Sequence, residues 1–383
     1  MKSRDTLRVG FQRPFGFYAS VFYLGMVLVM AIFGNMIAND KPIISTEDGV
    51  LRFPVFNSNY QPGSKVVEHV NPIIPFSYNT IDKNVTRSVA PLSRNQDGKL
   101  HIMGTDNIGR DVFAGIIRGA LIVIKIAGLS VFISFVLGSF IGMCMAYYGN
   151  ESIKLGALSL FFLLSGMVSW IYWWCNYFIF SSTISGIKFG IGLLFIVFVT
   201  LFGIVVSLRV EKNKWNIPLD NLGMKIVEII RSLPGFFFIL FTLILFGQGS
   251  WFVMVFLLVF MVSPAFIRHA RANTLAVIRE NYIESGRAIG ITDLKLILRH
   301  IFPNILGDLG IIALLAFIEC VMMEAALSFL GLGLPVDEMS WGKILAESRS
   351  DIRSWWLVIF PGLCLFFLVW SLNYLVNYLR KKA

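Results

Sequence analysis

The chain has 383 residues, 56% of them hydrophobic and only 15% charged, and its 33 Lys and Arg against 23 Asp and Glu leave a net charge of +10. Soluble domains carry roughly 25% charged residues, so this composition, with a mean hydropathy of +0.73, excludes an ordinary soluble enzyme, a disordered chain and a disulfide scaffold. The basic residues sit in short loops between apolar runs, where they read as topology signals and not as a nucleic-acid-binding stripe.

In chain order, eight runs approach the about 20 apolar residues that a helix needs to cross the hydrocarbon core: residues 17–38, 120–148, 155–180, 187–208, 226–246, 251–266, 305–330 and 356–379. The fold class predicted is an all-α polytopic membrane protein with about eight transmembrane helices. The run at 251–266 is short unless it continues past Pro264. Lys2, Arg4, Arg8 and Arg13 precede the first run, and Arg380, Lys381 and Lys382 follow the last. By the positive-inside rule both termini are cytoplasmic, as are the basic loops 209–225 and 268–299, and an even number of crossings keeps this consistent. No small-residue cleavage site follows the first run, which reads as a retained anchor. Residues 39–116 then form an extracytoplasmic loop, β-rich or irregular. Cys144, Cys175, Cys320 and Cys364 lie in apolar runs without a CxxC or Cys/His pairing, so neither a disulfide nor a metal site is expected.

Several polar residues stand out against this background. In the 268–303 loop, Tyr282, Leu294, Ile297 and Leu298 can cover one face of short helices while Glu284, Arg287, Asp293 and Lys295 stay solvated. Gly286 and Gly290 each cost a helix about 1 kcal/mol, which predicts a bend or a close approach there. Ahead of the second run, Gly104, Thr105, Asp106, Gly109, Arg110 and Asp111 read as a turn-rich helix start. Thr105 or Asp106 is the expected cap, and Arg110 and Asp111 pair with one another or with a neighbouring subunit. Glu319 and Glu324 fall in or at the end of an apolar run, about 140° apart on a helix, so they do not form a carboxylate pair. Glu324 reads as structural and Glu319 as a candidate for a translocation pathway, since an ionisable group inside the membrane faces a cavity or a partner. Lys125 is expected to snorkel to the outer interface. Gly138/Gly142 and Gly186/Gly190 have the spacing of close helix packing, and Trp170, Trp173, Trp174, Trp355 and Trp356 read as an interfacial belt. There is no GxxxxGK[ST] or HExxH pattern, and His69, His101, His269 and His300 are scattered.

Glu284-Ser285-Gly286, then Gly290, then Phe302-Pro303 resembles the EAA loop of ABC importer permeases. The segment from His101 to Phe113, with Gly104-Thr105-Asp106 and Gly109-Arg110-Asp111, is similar to the one before the second span in the C-type subunits of the dipeptide, oligopeptide and nickel permeases. Pro264 with Arg268 and Arg271, residues 299–304, residues 324–333, Ser340-Trp341-Gly342 and residues 360–363 follow in the family's order. The departures are Ser285 and Gly286 for two alanines, Asn377 and Lys381 where the family is acidic, and a hairpin at 155–208 beyond the six-span core.

The resemblance implies a permease subunit of a bacterial ABC importer in the inner membrane. Its loop, with Glu284, Ser285, Gly286, Gly290 and Pro303, would dock into a groove on an ATPase subunit. It further implies a second permease subunit, two ATPase subunits, an extracytoplasmic substrate-binding protein and surrounding lipid as partners, with no nucleic acid. The chain itself would bind no cofactor and catalyse no reaction, because ATP and Mg belong to the ATPase subunits. The implied division is 1–38, cytoplasmic N-terminus and first span; 39–116, extracytoplasmic loop; 117–379, transmembrane domain with the hairpin 155–208 and the cytoplasmic coupling loop 268–303; and 380–383, cytoplasmic tail. Di- and oligopeptides are the expected cargo, with nickel or another small solute as the alternative. A self-contained secondary transporter is the rival from another class; it calls for mid-membrane ionisable residues and an inverted repeat, of which the sequence has few and none clear.

Overall fold

A computed structural model describes residues 15–47, 50–56, 66–70, 72–82, 88–95, 98–150, 154–155, 215–216, 218–232, 251–335, 337–351 and 353–381, with scattered positions between 158 and 205 and at 235. Among these, five helical stretches are long and apolar enough to cross a membrane: Phe15–Ile37, Val112–Tyr148, Trp251–Val277, Asp293–Phe329 and Trp356–Arg380. The protein is an all-α polytopic membrane protein. Of the eight expected runs, 155–180, 187–208 and 226–246 fall largely outside the described residues, apart from a short apolar helix at Leu194–Gly203 and a helix at Leu219–Ser232.

The elements run α1 (Phe15–Ile37), β1 (Ile44–Glu47), β2 (Val50–Arg52), β3 (Val66–Val70), β4 (Ser93–Arg94), β5 (Leu100–His101), α2 (Val112–Val123), α3 (Leu129–Tyr148), β6 (Lys154–Leu155), α4 (Leu194–Gly203), β7 (Trp215–Asn216), α5 (Leu219–Ser232), α6 (Trp251–Val277), α7 (Asn281–Ala288), α8 (Asp293–Leu296), α9 (Phe302–Phe329), α10 (Trp341–Glu347) and α11 (Trp356–Arg380). A π-helical turn, Ile124–Gly128, joins α2 to α3, and a second, Ile297–Ile301, joins α8 to α9. The 39–111 segment carries an antiparallel sheet of order β2-β1-β3 and the β4–β5 hairpin.

The chain divides into two compact units. In the first, formed by Met1–Phe135, Gln248–Val262 and Gly307–Ala383, α1 packs on α2 and α11. Close approach is bought by small residues: a Cβ on Gly34 would lie 3.0 Å from Ile117 Cγ2, and one on Gly16 would lie 2.6 Å from the Tyr374 ring. The Tyr23 hydroxyl donates 2.7 Å to the Cys364 carbonyl, satisfying a polar group in an otherwise apolar seam. Helix α10 lies against α2 and α11. Its Trp341 is buried, donates from Nε1 to the Ile116 carbonyl at 2.9 Å and fills the space left open at Gly119.

In the second unit, Val136–Gly247 with Ser263–Leu306, α3 lies against the C-terminal half of α6 through Gly138 and Gly142. A Cβ on Gly138 would sit 2.8 Å from Phe266 Cβ, and one on Gly142 would fall on the Ile267 carbonyl oxygen. The expected small-residue packing of this pair is therefore seen, while Gly186 and Gly190 lie outside the described residues. Helix α6 does not stop at residue 266 but continues through Pro264 to Val277. Arg271, expected in the following loop, sits in the helix because Asp220 of α5 holds its guanidinium, Nη2 to Oδ2 2.6 Å and Nε to Oδ1 shorter still. Met145, Val227 and Ile267 form a small core beside that pair.

Candidate functional site

Two groups of residues singled out by the sequence have defined geometry, one in each unit. In the second unit the chain leaves α6 at Val277 through a tight turn, in which the Ile278 amide donates to the Thr274 carbonyl at 2.9 Å, and enters α7. Gly290 takes φ +82° and stops α7. Its amide donates to the Arg287 carbonyl at 3.0 Å, and the Ile291 amide donates to the Gly286 carbonyl at 3.1 Å. This double closure around a left-handed residue is a Schellman motif, which glycine permits without a Cβ penalty. Gly286 answers the other half of the expectation. It is buried, and a Cβ there would press to 2.9 Å from Leu296 Cδ2, so α7 folds back closely on α8.

The apolar face that turns inward consists of Ile283, Leu296, Ile297 and Ile301, each at most 1% exposed. This corrects the expected grouping: Ile297 belongs to the interior, while Tyr282, Leu294 and Leu298 are exposed and Ile289 is 78% exposed. The reason is the π turn at Ile297–Ile301, whose extra residue rotates the face beyond it relative to an α-helical count. Two contacts brace this outer face. The Tyr147 hydroxyl donates to Asp293 Oδ1 at 2.7 Å while Arg287 lies over the Tyr147 ring, 4.7 Å from its centroid. Asn304 Nδ2 donates 3.0 Å to the Tyr282 hydroxyl. Glu284 and Ser285 are exposed on α7, and Pro303 is exposed at the start of α9; the Ser285 hydroxyl turns back to the Asn281 carbonyl at 2.9 Å.

In the first unit the 101–111 segment forms a clasp. Gly104 has φ +79°, and a Cβ there would meet the Val89 carbonyl oxygen and the Trp356 indole. Thr105 binds Val89 twice, its amide to the carbonyl at 3.0 Å and its Oγ1 from the Val89 amide at 2.9 Å. Its own carbonyl accepts Trp356 Nε1 at 3.0 Å. Neither Thr105 nor Asp106 caps the helix, as had been expected. Asp106 is occupied by the amides of Ile108 and Arg110 at 3.0 and 2.8 Å and by Arg110 Nε at 2.7 Å. Asp111 is the N-cap instead, accepting the Ala114 amide at 2.8 Å. Arg110 and Asp111 do not pair with one another: Arg110 reaches Glu347 at 3.4 Å, and Asp111 Oδ2 lies 2.9 Å from His101 Nδ1.

His101 is the residue that sequence reasoning missed here. It is 1% exposed, stacked on Phe76 at 4.2 Å, and has Asp82 Oδ2 3.7 Å from Nε2. Only the adjacency of His101 to the Gly104–Asp111 motif hinted at this. Further ties close the clasp. Asn107 Nδ2 donates 2.7 Å to the Glu347 carbonyl and bonds Ser350 Oγ. The Ser88 and Ser354 hydroxyls donate to Asp351 Oδ2 at 2.6 and 2.8 Å, and with the Ser88 bond foremost they hold its carboxyl below the usual carboxylate range. Burial, aided by Arg110, lowers the Lys343 ammonium from its ordinary value although it donates to the Glu338 and Pro335 carbonyls at 2.8 and 3.1 Å.

The remaining singled-out residues are apart from both groups. Glu319 is exposed on α9. Glu324 is fully buried and accepts the Ser328 hydroxyl at 2.7 Å, so its place is inside the helix packing and not at an interface. Lys125 is exposed, with its ammonium 4.3 Å from the Trp251 ring centroid. Trp356 is buried at the clasp, unlike the interfacial belt residue expected, whereas Trp355 is exposed; Trp173 and Trp174 lie outside the described residues. Among the described residues no group of three or more His, Cys, Asp or Glu can hold a metal ion.

The family described as the binding-protein-dependent transport system inner membrane component matches residues 200–383. Curated relatives extend the match toward the N-terminus. A glutathione transport system permease protein, GsiD, of Escherichia coli O1:K1 is 26% identical over 281 residues, 73% of this chain and 70% of that protein. The chain is a member of this permease family. A GsiD of Shigella flexneri serotype 5b is 33% identical to this permease over 162 residues, 42% of this chain and 53% of that protein. Among solved structures, a chain of the MetNI methionine ABC transporter in an inward-facing conformation aligns with 67% of this permease and 96% of its own length at 16% identity, with a TM-score of 0.35, too low to define a shared architecture. The permease is thus a subunit of an ABC importer of the inner membrane, in a family whose members work with ATPase subunits, a permease partner and a binding protein.

Proposed function

We propose that this permease forms, with a second permease subunit, the translocation pathway for small peptides, and that α7 and α8 are the element through which two ATPase subunits drive it. The observation that carries this reading is the exposed apolar surface of Tyr282, Ile289, Leu294 and Leu298, mounted on a buried base of Ile283, Leu296, Ile297 and Ile301. A helix stopped by Gly290 and braced from within transmits a push instead of absorbing it. Glu284, Ser285, Gly286, Gly290 and Pro303 shape this prong, Gly286 and Gly290 by its fold and Glu284 and Ser285 on its accessible side. Both termini and the 268–303 region lie in the cytoplasm in this reading, as the distribution of Lys and Arg supports, and residues 39–116 face outward.

ATP and Mg bind to the ATPase subunits. Their closure draws the coupling prongs together and opens the pathway outward, and the extracytoplasmic binding protein then releases cargo into it; reset follows hydrolysis. Two packed arrangements biased by rigid elements are what such alternation requires. Glu319, exposed on α9, lines the pathway. Peptide cargo is supported by the glutathione named for the relatives, itself a small peptide. The test is mass spectrometry of the complex purified from its native membrane in mild detergent. Recovery of a second permease and ATPase subunits is expected, and a folded chain recovered alone would overturn the reading in favour of a self-contained transporter.

A further inference from the structure

We infer that the β4–β5 hairpin is an anchor by which this permease grips the binding protein that delivers its cargo; the inference rests on the function proposed above and adds the contact site. Arg94 and Leu100 stand directly opposite one another in the hairpin, and both are exposed, as are Leu92 and Ile102 beside them. Ser93 and His101, the other pair, turn inward. The outward face therefore offers three apolar side chains around a guanidinium, a composition that fits a partner surface with an apolar centre and an acidic rim.

Leu92 is the telling member. It has φ +64°, the one positive value on a residue other than glycine among those described, and its side chain is 71% exposed. A glycine would suit the backbone better and would forfeit no packing, so neither folding nor stability accounts for a leucine there. Strain kept at an exposed apolar tip points to a contact made outside the chain.

The base of the hairpin is stiff. The Leu92 amide donates to the His101 carbonyl at 2.9 Å, and His101 is seated against Asp111, which caps α2. A load on the tip is thereby joined to the start of a membrane-crossing helix. Polar neighbours Arg94 and Asn95 and the position ahead of the α2 cap favour a protein partner over acyl chains.

The test places a photo-reactive benzoylphenylalanine at position 92 and, separately, at position 289 in the full complex in native membranes, and identifies the adducts by mass spectrometry. Position 92 is expected to join an extracytoplasmic solute-binding protein. Adducts at 92 with lipid or the second permease alone, or none, while position 289 joins an ATPase subunit, would overturn the inference and leave the functional reading standing. A position 289 that joins no ATPase subunit would overturn that reading itself. In proteoliposomes, Leu92→Gly should raise the concentration of the captured binding protein that half-maximally stimulates ATP hydrolysis by about tenfold, and an unchanged curve would also overturn the inference.

Discussion

Replacing Asp111 separates two tasks that one carboxylate performs. Its Oδ1 accepts the Ala114 amide at 2.8 Å and so caps α2, while its Oδ2 lies 2.9 Å from His101 Nδ1. Both side chains are 1% exposed, so water cannot replace either bond. Asp111→Asn keeps a good cap acceptor but removes the charge beside His101, and the loss of a hydrogen bond to a charged, buried group costs roughly 1.5–3 kcal/mol. Asp111→Ala removes the cap as well, adding about 1 kcal/mol. Because about 1.4 kcal/mol is a factor of ten, the Asn variant should open the clasp roughly ten to a hundred times more often, and the Ala variant a further several times. Hydrogen–deuterium exchange of peptides covering residues 88–114 in detergent reads this opening directly as lost amide protection. Protection in Asp111→Asn equal to that of the wild type would refute the pairing with His101, and equal losses in the two variants would refute the cap.

Three other outcomes are expected. Gly142→Val puts a Cβ onto the Ile267 carbonyl oxygen, which backbone cannot yield; it should destabilise the second unit by about 1–3 kcal/mol and lower the thermal midpoint of the detergent-solubilised protein, whereas Gly25→Val, with open space around it, should not. Ile289→Asp places a charge on the most exposed apolar residue of the prong and should reduce ATPase co-purification about tenfold without altering insertion; undiminished co-purification would count against the coupling role. For Asp351 the folded carboxyl titrates below its ordinary value of 3.8, so its contribution is complete above that value and is lost as pH falls through the lower folded one. Amide protection at Ser88 and Val89 should show that acid-sensitive loss, and Asp351→Asn should lack it.

Long apolar runs made the membrane-crossing helices readable, because twenty consecutive apolar residues have few other uses in a folded chain. Helix ends were harder to place. Arg268 and Arg271 seemed to close a span at residue 266, yet the helix runs on to Val277 because Arg271 meets a carboxylate from Asp220, a partner 51 positions away that no local pattern reveals. The bend at Gly290 and the tight approach at Gly286 were legible from glycine's cost in a helix; which apolar residues face inward was not, since the π turn breaks the periodicity on which such counting depends. At the clasp, three adjacent capping residues were visible, but choosing among them required knowing that Asp106 is already occupied by Arg110. His101 gained significance only from Asp82 and Phe76, which the chain's path brings to its ring.

The π turns at Ile124–Gly128 and Ile297–Ile301 carry a consequence for how this chain tolerates change in length. Each holds one residue more than an α-helical turn needs, so a deletion within it would let the helix close into regular geometry while swinging everything beyond it through about 100°. Insertions and deletions that a surface loop would absorb would here re-aim a whole helix at new neighbours. The two turns thus act as phase markers, and the spacing between Asp111 and Gly138, and between Gly290 and Glu324, is constrained to the residue.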